Sequence, residues 1–200
     1  FVWEIATAIA GYFLKINPFD QPDVELTKKK TREILEQPES SSLEGYLSSE
    51  NGKEIEQAIK SLLFGHHDFS GYISLLVYLP SDDNLNTALD NLARHITDKT
   101  HLPCTWNYGP AYLHSTGQLH KGDSGQGHFL GLFYEDNRQV AIPAEPDWPP
   151  TAPSFNHLFR AQALGDLATL QARKRKVVFL NLKGNLVKNI FTLNEVVRNL

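Results

Sequence analysis

Apolar residues recur along this chain with two periods, and the period changes near Gly71. Val2, Ile5, Ile9, Phe13 and Ile16 fall at helical spacing, with Ala6, Ala8, Ala10 and Gly11 between them. So little of this segment is polar that the expected helix should be buried on almost every side. Asn17-Pro18 ends it, because the residue before a proline is pushed out of the helical region. A second helix is expected from Pro22 to Glu36, with Pro22 at its first position, Asp20 or Gln21 at the cap and a charged outer side. Residues 37–52 are rich in Ser, Glu, Gly and Asn, with Pro38 as a breaker, and read as a loosely packed linker. Ile55, Ala58, Ile59, Leu62 and Leu63 then mark one side of a short packing helix.

Beyond Gly71 the runs become β-branched and aromatic. Tyr72–Leu79 and Gly127–Tyr134 read as buried strands, and Lys176–Leu182 as a third. Pro103–Leu113 is expected to be extended in part, and Gln139–Ile142 to be a short partner strand. Asn84–Thr97 is amphipathic, with Leu85, Leu89, Leu92, Ala93 and Ile96 inward. Phe155–Arg173 and Leu186–Leu200 are further helices, and Pro143–Pro153 is a connection. The order β-α-β-β-α-β followed by a helix predicts an α+β fold of ferredoxin-like type, a mostly antiparallel sheet with helices on one face.

Composition narrows the classes. Hydrophobic residues make up 41% and charged residues 21%, with a net charge of -4, which gives no broad pull toward nucleic acid or anionic membranes. The basic run Arg173-Lys174-Arg175-Lys176 reads as a solvated helix C-terminus. Cys104 is the single cysteine, so no intramolecular disulfide forms, which suits a reducing compartment and a cytoplasmic protein. No apolar stretch approaches the ~20 residues that span a bilayer. The chain opens on Phe1-Val2-Trp3, inside a periodic segment, and reads as part of a longer polypeptide.

Two segments concentrate candidate chemistry. The first runs from Gly11 to Lys28 and contains Phe19-Asp20-Gln21, then Val24-Glu25, then Lys28. Taken by composition, Lys28, Lys29 and Lys30 are a solvated helix face, with Glu25–Lys29 and Lys29–Glu33 as i,i+4 pairs. In order and spacing, however, the segment resembles the C-terminal signature of phosphoglucose isomerases. The resemblance implies that Gln21 contacts a sugar phosphate and that Lys28 approaches the ring oxygen and assists ring opening. A loop entering a helix N-terminus suits phosphate through its free N–H groups and dipole, and ring opening needs a proton donor near that oxygen. Asp23 stands where the family usually has Gly or Ala; there it either weakens phosphate affinity or points outward.

The second segment is Tyr108–Gly122, which includes His114-Ser115-Thr116-Gly117-Gln118-Leu119-His120-Lys121. Its glycines permit tight turns and close ligand approach, and imidazole exchanges protons near neutral pH. It resembles a block near the C-terminus of transaldolase–phosphoglucose isomerase fusion proteins, with Ala111 in place of an arginine and Asp123 in place of a glycine. Phe159–Leu167 and the segment from Tyr72 onward match as well. No family histidine maps onto this block, so His114 and His120 are candidates by chemistry alone. The plainer reading, a hydrogen-bonded turn whose histidines satisfy buried carbonyls, stands beside it. The spacing fits no common zinc pattern. His66-His67 reads as a solvated turn, His95 as a polar helix position, and Trp106, Trp148 and Phe155 as packing. The loop Gly122–Gly127 lacks the order of a phosphate loop.

The reading is therefore an isomerase part that is inactive by itself, in three stretches: residues 1–37 as C-terminal helices of a sugar-isomerase domain, 38–64 as linker and short helix, and 65–200 as an appended ferredoxin-like βαββαβ domain with an extra C-terminal helix. By resemblance, the whole enzyme interconverts glucose 6-phosphate and fructose 6-phosphate through ring opening and a cis-enediol. Its carboxylate base and most of its phosphate ligands lie upstream. Catalytic candidates are Lys28, His114 and His120; substrate-binding candidates are Gln21, Ser115, Thr116, Gln118 and Lys121. No metal or cofactor is expected. Partners are the sugar phosphate and upstream isomerase and transaldolase domains, with a homo-oligomer left open and neither nucleic acid nor membrane. The rival readings are a non-catalytic domain that senses a sugar phosphate and an assembly element.

Overall fold

Strands buried on both faces read as near-continuous apolar runs, because helices cover each side of a parallel sheet. The computed structural model, which describes residues 1–36, 46–48, 50–65, 71–134, 140–142 and 154–200, follows this rule. Among the described residues the strands are β1 (Tyr46–Ser48), β2 (Tyr72–Tyr78), β3 (Cys104–Tyr108), β4 (Gly127–Tyr134) and β5 (Lys176–Leu182). They form one sheet in the order β1-β5-β4-β2-β3, and every pairing is parallel. The helices are α1 (Val2–Leu14), α2 (Pro22–Glu36), α3 (Gly52–Phe64), α4 (Asp83–Thr100), α5 (Gly117–Gly122), α6 (Phe155–Ala172) and α7 (Leu186–Asn199), with a 3₁₀ turn at Ala111–His114.

The mixed helix-and-strand composition agrees with the expectation from sequence, and the ferredoxin-like arrangement is corrected. Parallel neighbours need a crossover: β3 and β4 lie on opposite sides of β2, and the chain passes from one to the other through the 3₁₀ turn and α5. A six-residue helix is too short to show a helical period. β1 is a second correction: Tyr46–Ser48, placed in the linker, pairs with Phe179–Asn181 of β5. Of the expected strand Gln139–Ile142, Ala141 makes one antiparallel bridge to Ser154, and Gln139 lies outside the described residues. The same holds for 37–45, His66-His67 and Trp148.

Alternation along the strands separates two cores. Ile73, Leu75 and Val77 of β2 meet α3, α4 and α7, where Ile55, Ile59, Leu89, Leu92, Ile190 and Val197 are buried. Leu76 and Tyr78 point the other way, with Phe129, Phe133 and Phe179, against Tyr112, Ala163, Leu167 and Leu170. Asp82 caps α4, its carboxylate accepting from the N–H groups of Asn84 and Leu85 at 2.9 and 3.1 Å, as expected of a short acid at that position.

Outside α6 lies a third layer, α2. Ile34 packs with Ala161 and Leu164, and Gly165 lets the two backbones approach closely. A Cβ at Gly165 would stand 2.5 Å from Thr31 Oγ1 and 2.9 Å from Thr31 N. Gly165→Val is therefore expected to lose about 1–3 kcal/mol through forced separation of α2 from α6. That exceeds the gain from removing a helical glycine, which is under about 1 kcal/mol. A lowered midpoint in denaturant unfolding checks this.

α1 departs furthest from expectation. Among its residues only Gly11 is buried; Trp3 is 85% and Phe13 77% exposed. Apolar content reports that a surface needs cover, and here α2 and the sheet do not provide it.

Candidate functional site

The two segments singled out in the sequence meet. The first turn of α2 and the helix α5 are joined through Asp23, which is only 3% exposed. The Asp23 backbone N–H donates to Gln118 Oε1 at 3.1 Å, and Gln118 Nε2 donates back to Asp23 Oδ2 at 2.8 Å. Arg173, the C-cap of α6, donates from Nε to Asp23 Oδ1 at 2.5 Å. Asp23 thus neither points outward nor stands as a free charge at the helix N-terminus. Its carboxylate is neutralised by a guanidinium and tied to an amide. Gly122 makes room for this, since a Cβ there would lie 2.7 Å from Gln118 Nε2 and 3.2 Å from Asp23 Oδ2.

Beneath this junction α5 is held by charge. Lys121 Nζ lies 2.7 Å from Asp166 Oδ1, with both side chains fully buried. The approach is off the directions of a hydrogen bond, so the attraction is mainly Coulombic. Tyr78 donates its hydroxyl to Asp166 Oδ2 at 3.2 Å, and the Lys121 ammonium stands 5.6 Å over the Tyr112 ring. Burial pushes the Lys121 ammonium down and the Asp166 carboxyl up, each toward its neutral form. The close contact opposes that drift.

His120 faces the same core. It packs against Tyr72, Tyr112 and Phe129, and its Nδ1 is 3.0 Å from the Tyr72 hydroxyl. Burial, aided by the charge of Lys121, lowers its pKa to about 4, so its imidazole is neutral at physiological pH. Burial, then the charge of Asp123, raises the Tyr72 phenol. His114 and Ser115 are exposed, and Ser115 donates to the Tyr112 carbonyl at 3.1 Å. Thr116 is half-buried, and its Oγ1 has no hydrogen-bond partner among the described residues.

Gln21 and Lys28 are both exposed. The Gln21 carbonyl accepts from Glu25 N–H at 3.2 Å as α2 begins. Lys28 Nζ sits 2.6 Å from Glu25 Oε1, and Lys30 pairs with Glu33 at 3.0 Å. The face thus carries i,i+3 pairs where i,i+4 pairs were expected. The Lys28 ammonium holds the Glu25 carboxyl below its usual range.

The basic run at 173–176 is corrected in part: Arg173 and Lys174 are exposed at the C-terminal end of α6, as expected, but the two arginines are also structural partners. Arg175 donates from Nη2 to the carbonyls of Lys121 and Asp123 at 2.5 and 2.7 Å and pairs with the Asp123 carboxylate at 3.1 Å. Asp123 accepts from the N–H groups of Gly125 and Gly127, which shapes the glycine-rich loop. His95, taken as a polar position, is half-buried with Nδ1 2.9 Å from Asn194 Oδ1.

The sequence reading missed Arg173 and Asp166. Asp166 left a usable signal: a carboxylate among Leu164, Leu167 and Leu170 on a buried helix needs a cationic partner. Arg173 left none, since its partner is 150 residues away.

The geometry can therefore fix the first turn of α2 rigidly beside α5. Gln21, Lys28 and His114 stay open to solvent, while Gln118, His120 and Lys121 are engaged within the chain. No helix among the described residues is long and apolar enough to cross a membrane. No family model and no solved structure matches the chain. A stretch of 38 residues is 47% identical to a glucose-6-phosphate isomerase from Mesoplasma florum, covering 19% of this chain and 9% of that relative's length.

Proposed function

We propose that the chain supplies the C-terminal helices of a glucose-6-phosphate isomerase, with the α/β sheet body appended behind them. The observation that carries this reading is the 47% identity over 38 residues to an isomerase of that name. The ordered signature at Gly11–Lys28 adds to it. In this reading residues 1–37 belong with an isomerase domain upstream, the carboxylate base lies there, and transaldolase is the further fused partner. Gln21 binds the phosphate, Lys28 donates a proton near the ring oxygen, and His114 lies at the solvent-open rim. Gln118, His120 and Lys121 serve as the frame beneath. The exposed apolar surface of α1 is then the part that the upstream domain covers, in a cytoplasmic enzyme.

The test is conversion of glucose 6-phosphate to fructose 6-phosphate by the full-length protein. Turnover is expected there, and Gln21→Leu should raise KM about 10–100-fold through loss of a hydrogen bond to a charged group, with a smaller effect on kcat. Absence of turnover in the full-length protein overturns the reading. The exposed α1 also favours a second reading, an assembly element attached to a transaldolase/isomerase, in which truncating α1 changes the assembly state and spares turnover.

A further inference from the structure

We propose that Arg173 is a positioning residue for phosphate binding at the first turn of α2: it neutralises Asp23 and, together with Gln118, fixes the turn that carries Gln21. The kinetic part of this inference rests on the isomerase reading above; the structural part does not.

A carboxylate in the first turn of a helix stabilises that helix, because it complements the dipole. The same carboxylate opposes an anion arriving at that turn. Asp23 is placed to do both, in a first turn that also holds Glu25. The second effect is cancelled where the carboxylate carries a guanidinium partner, and Arg173 supplies one at 2.5 Å. Asp23's own side chain is 4% exposed and that of Arg173 45%, so the acid is shielded from water and depends on its partner, whereas the arginine does not. Gln118 completes the joint by binding both the N–H and the carboxylate of Asp23. Gln118 in turn sits on α5, which Lys121 anchors through Asp166. A ligand that meets Gln21 therefore meets a turn whose position and net charge are set by residues of the sheet body.

The experiment uses the full-length protein, with glucose 6-phosphate kinetics and hydrogen exchange of the α2 amides measured on each variant. Arg173→Ala is expected to raise KM about tenfold with kcat within about twofold, the pattern of lost ground-state binding. It should also speed exchange at 23–28. Arg173→Lys keeps the cation and should keep KM. Adding Asp23→Asn to Arg173→Ala removes the uncompensated charge and should return KM to within about threefold of the original while exchange at 23–28 stays fast, a combination that a purely structural role for Arg173 does not produce. Unchanged KM in Arg173→Ala, or failure of Asp23→Asn to restore it, overturns the inference. A wild-type protein without turnover defeats the isomerase reading instead. The exchange measurement then decides the joint by itself: unchanged exchange at 23–28 in Arg173→Ala removes it.

Discussion

Lys121→Met is expected to destabilise the protein by about 3–5 kcal/mol, the range seen when one member of a buried ion pair is removed. Methionine fills much of the lysine's volume, so cavity formation contributes little and the loss comes from Asp166. That carboxylate is fully buried, with Tyr78 as its remaining donor at 3.2 Å. Burial already raises its pKa above the ordinary 3.8, and without the cation only the Tyr78 hydroxyl restrains the rise. In the variant the folded state therefore holds a proton that the unfolded state releases near pH 3.8. The folded state binds more protons across that window, so stability falls as pH rises. The variant should be least impaired below pH 4 and progressively worse toward neutrality. Denaturant unfolding at pH 4 and pH 7 checks the sign: equal losses at both would mean that Asp166 does not carry the effect. Asp166→Asn in the Lys121→Met background should recover part of the loss at pH 7.

On the isomerase reading proposed above, Lys28→Met in the full-length protein is expected to leave stability almost unchanged and lower kcat for glucose 6-phosphate about 10²–10⁴-fold, the range for removing a general acid. The two readouts separate because Lys28 and Glu25 are 48% and 67% exposed, and an exposed pair contributes about 0–1 kcal/mol. Lys29, on the same exposed face, is the control, and Lys29→Met should retain kcat. If both substitutions leave kcat intact, the lysine face is only solvated surface and the proton donor lies elsewhere.

What could be read from the sequence follows from how far each signal reaches along the chain. β2, β4 and α4 are long enough to repeat their period several times, and their apolar residues are those that became buried. α5 spans less than two helical turns, and β1 has three residues. Neither repeats anything, so strand order and the crossover into β4 stayed hidden. Gln21 and Lys28 were named from the resemblance to a family signature, and the candidates between His114 and Lys121 from the density of polar residues. Density does not say which side chains turn inward. His120 and Lys121 are buried because Phe129, Tyr112 and Asp166 receive them, and those partners lie in other elements. α1 shows the opposite error, since apolarity around a helix predicts cover without saying what supplies it.

The joint at Asp23 has a consequence for biosynthesis. Asp23 and Arg173 are separated by 150 residues, so at about 5–20 residues per second the ribosome makes the arginine roughly 8–30 s after the aspartate. Thr31 likewise waits for Gly165, and Tyr46–Ser48 for β5. During that interval α2 has no surface of the sheet body to dock on, and the apolar α1 ahead of it is already outside the exit tunnel. Within these 200 residues α2 is thus made well before the surface of the sheet body that secures it, and a chaperone that holds nascent chains would act in that interval.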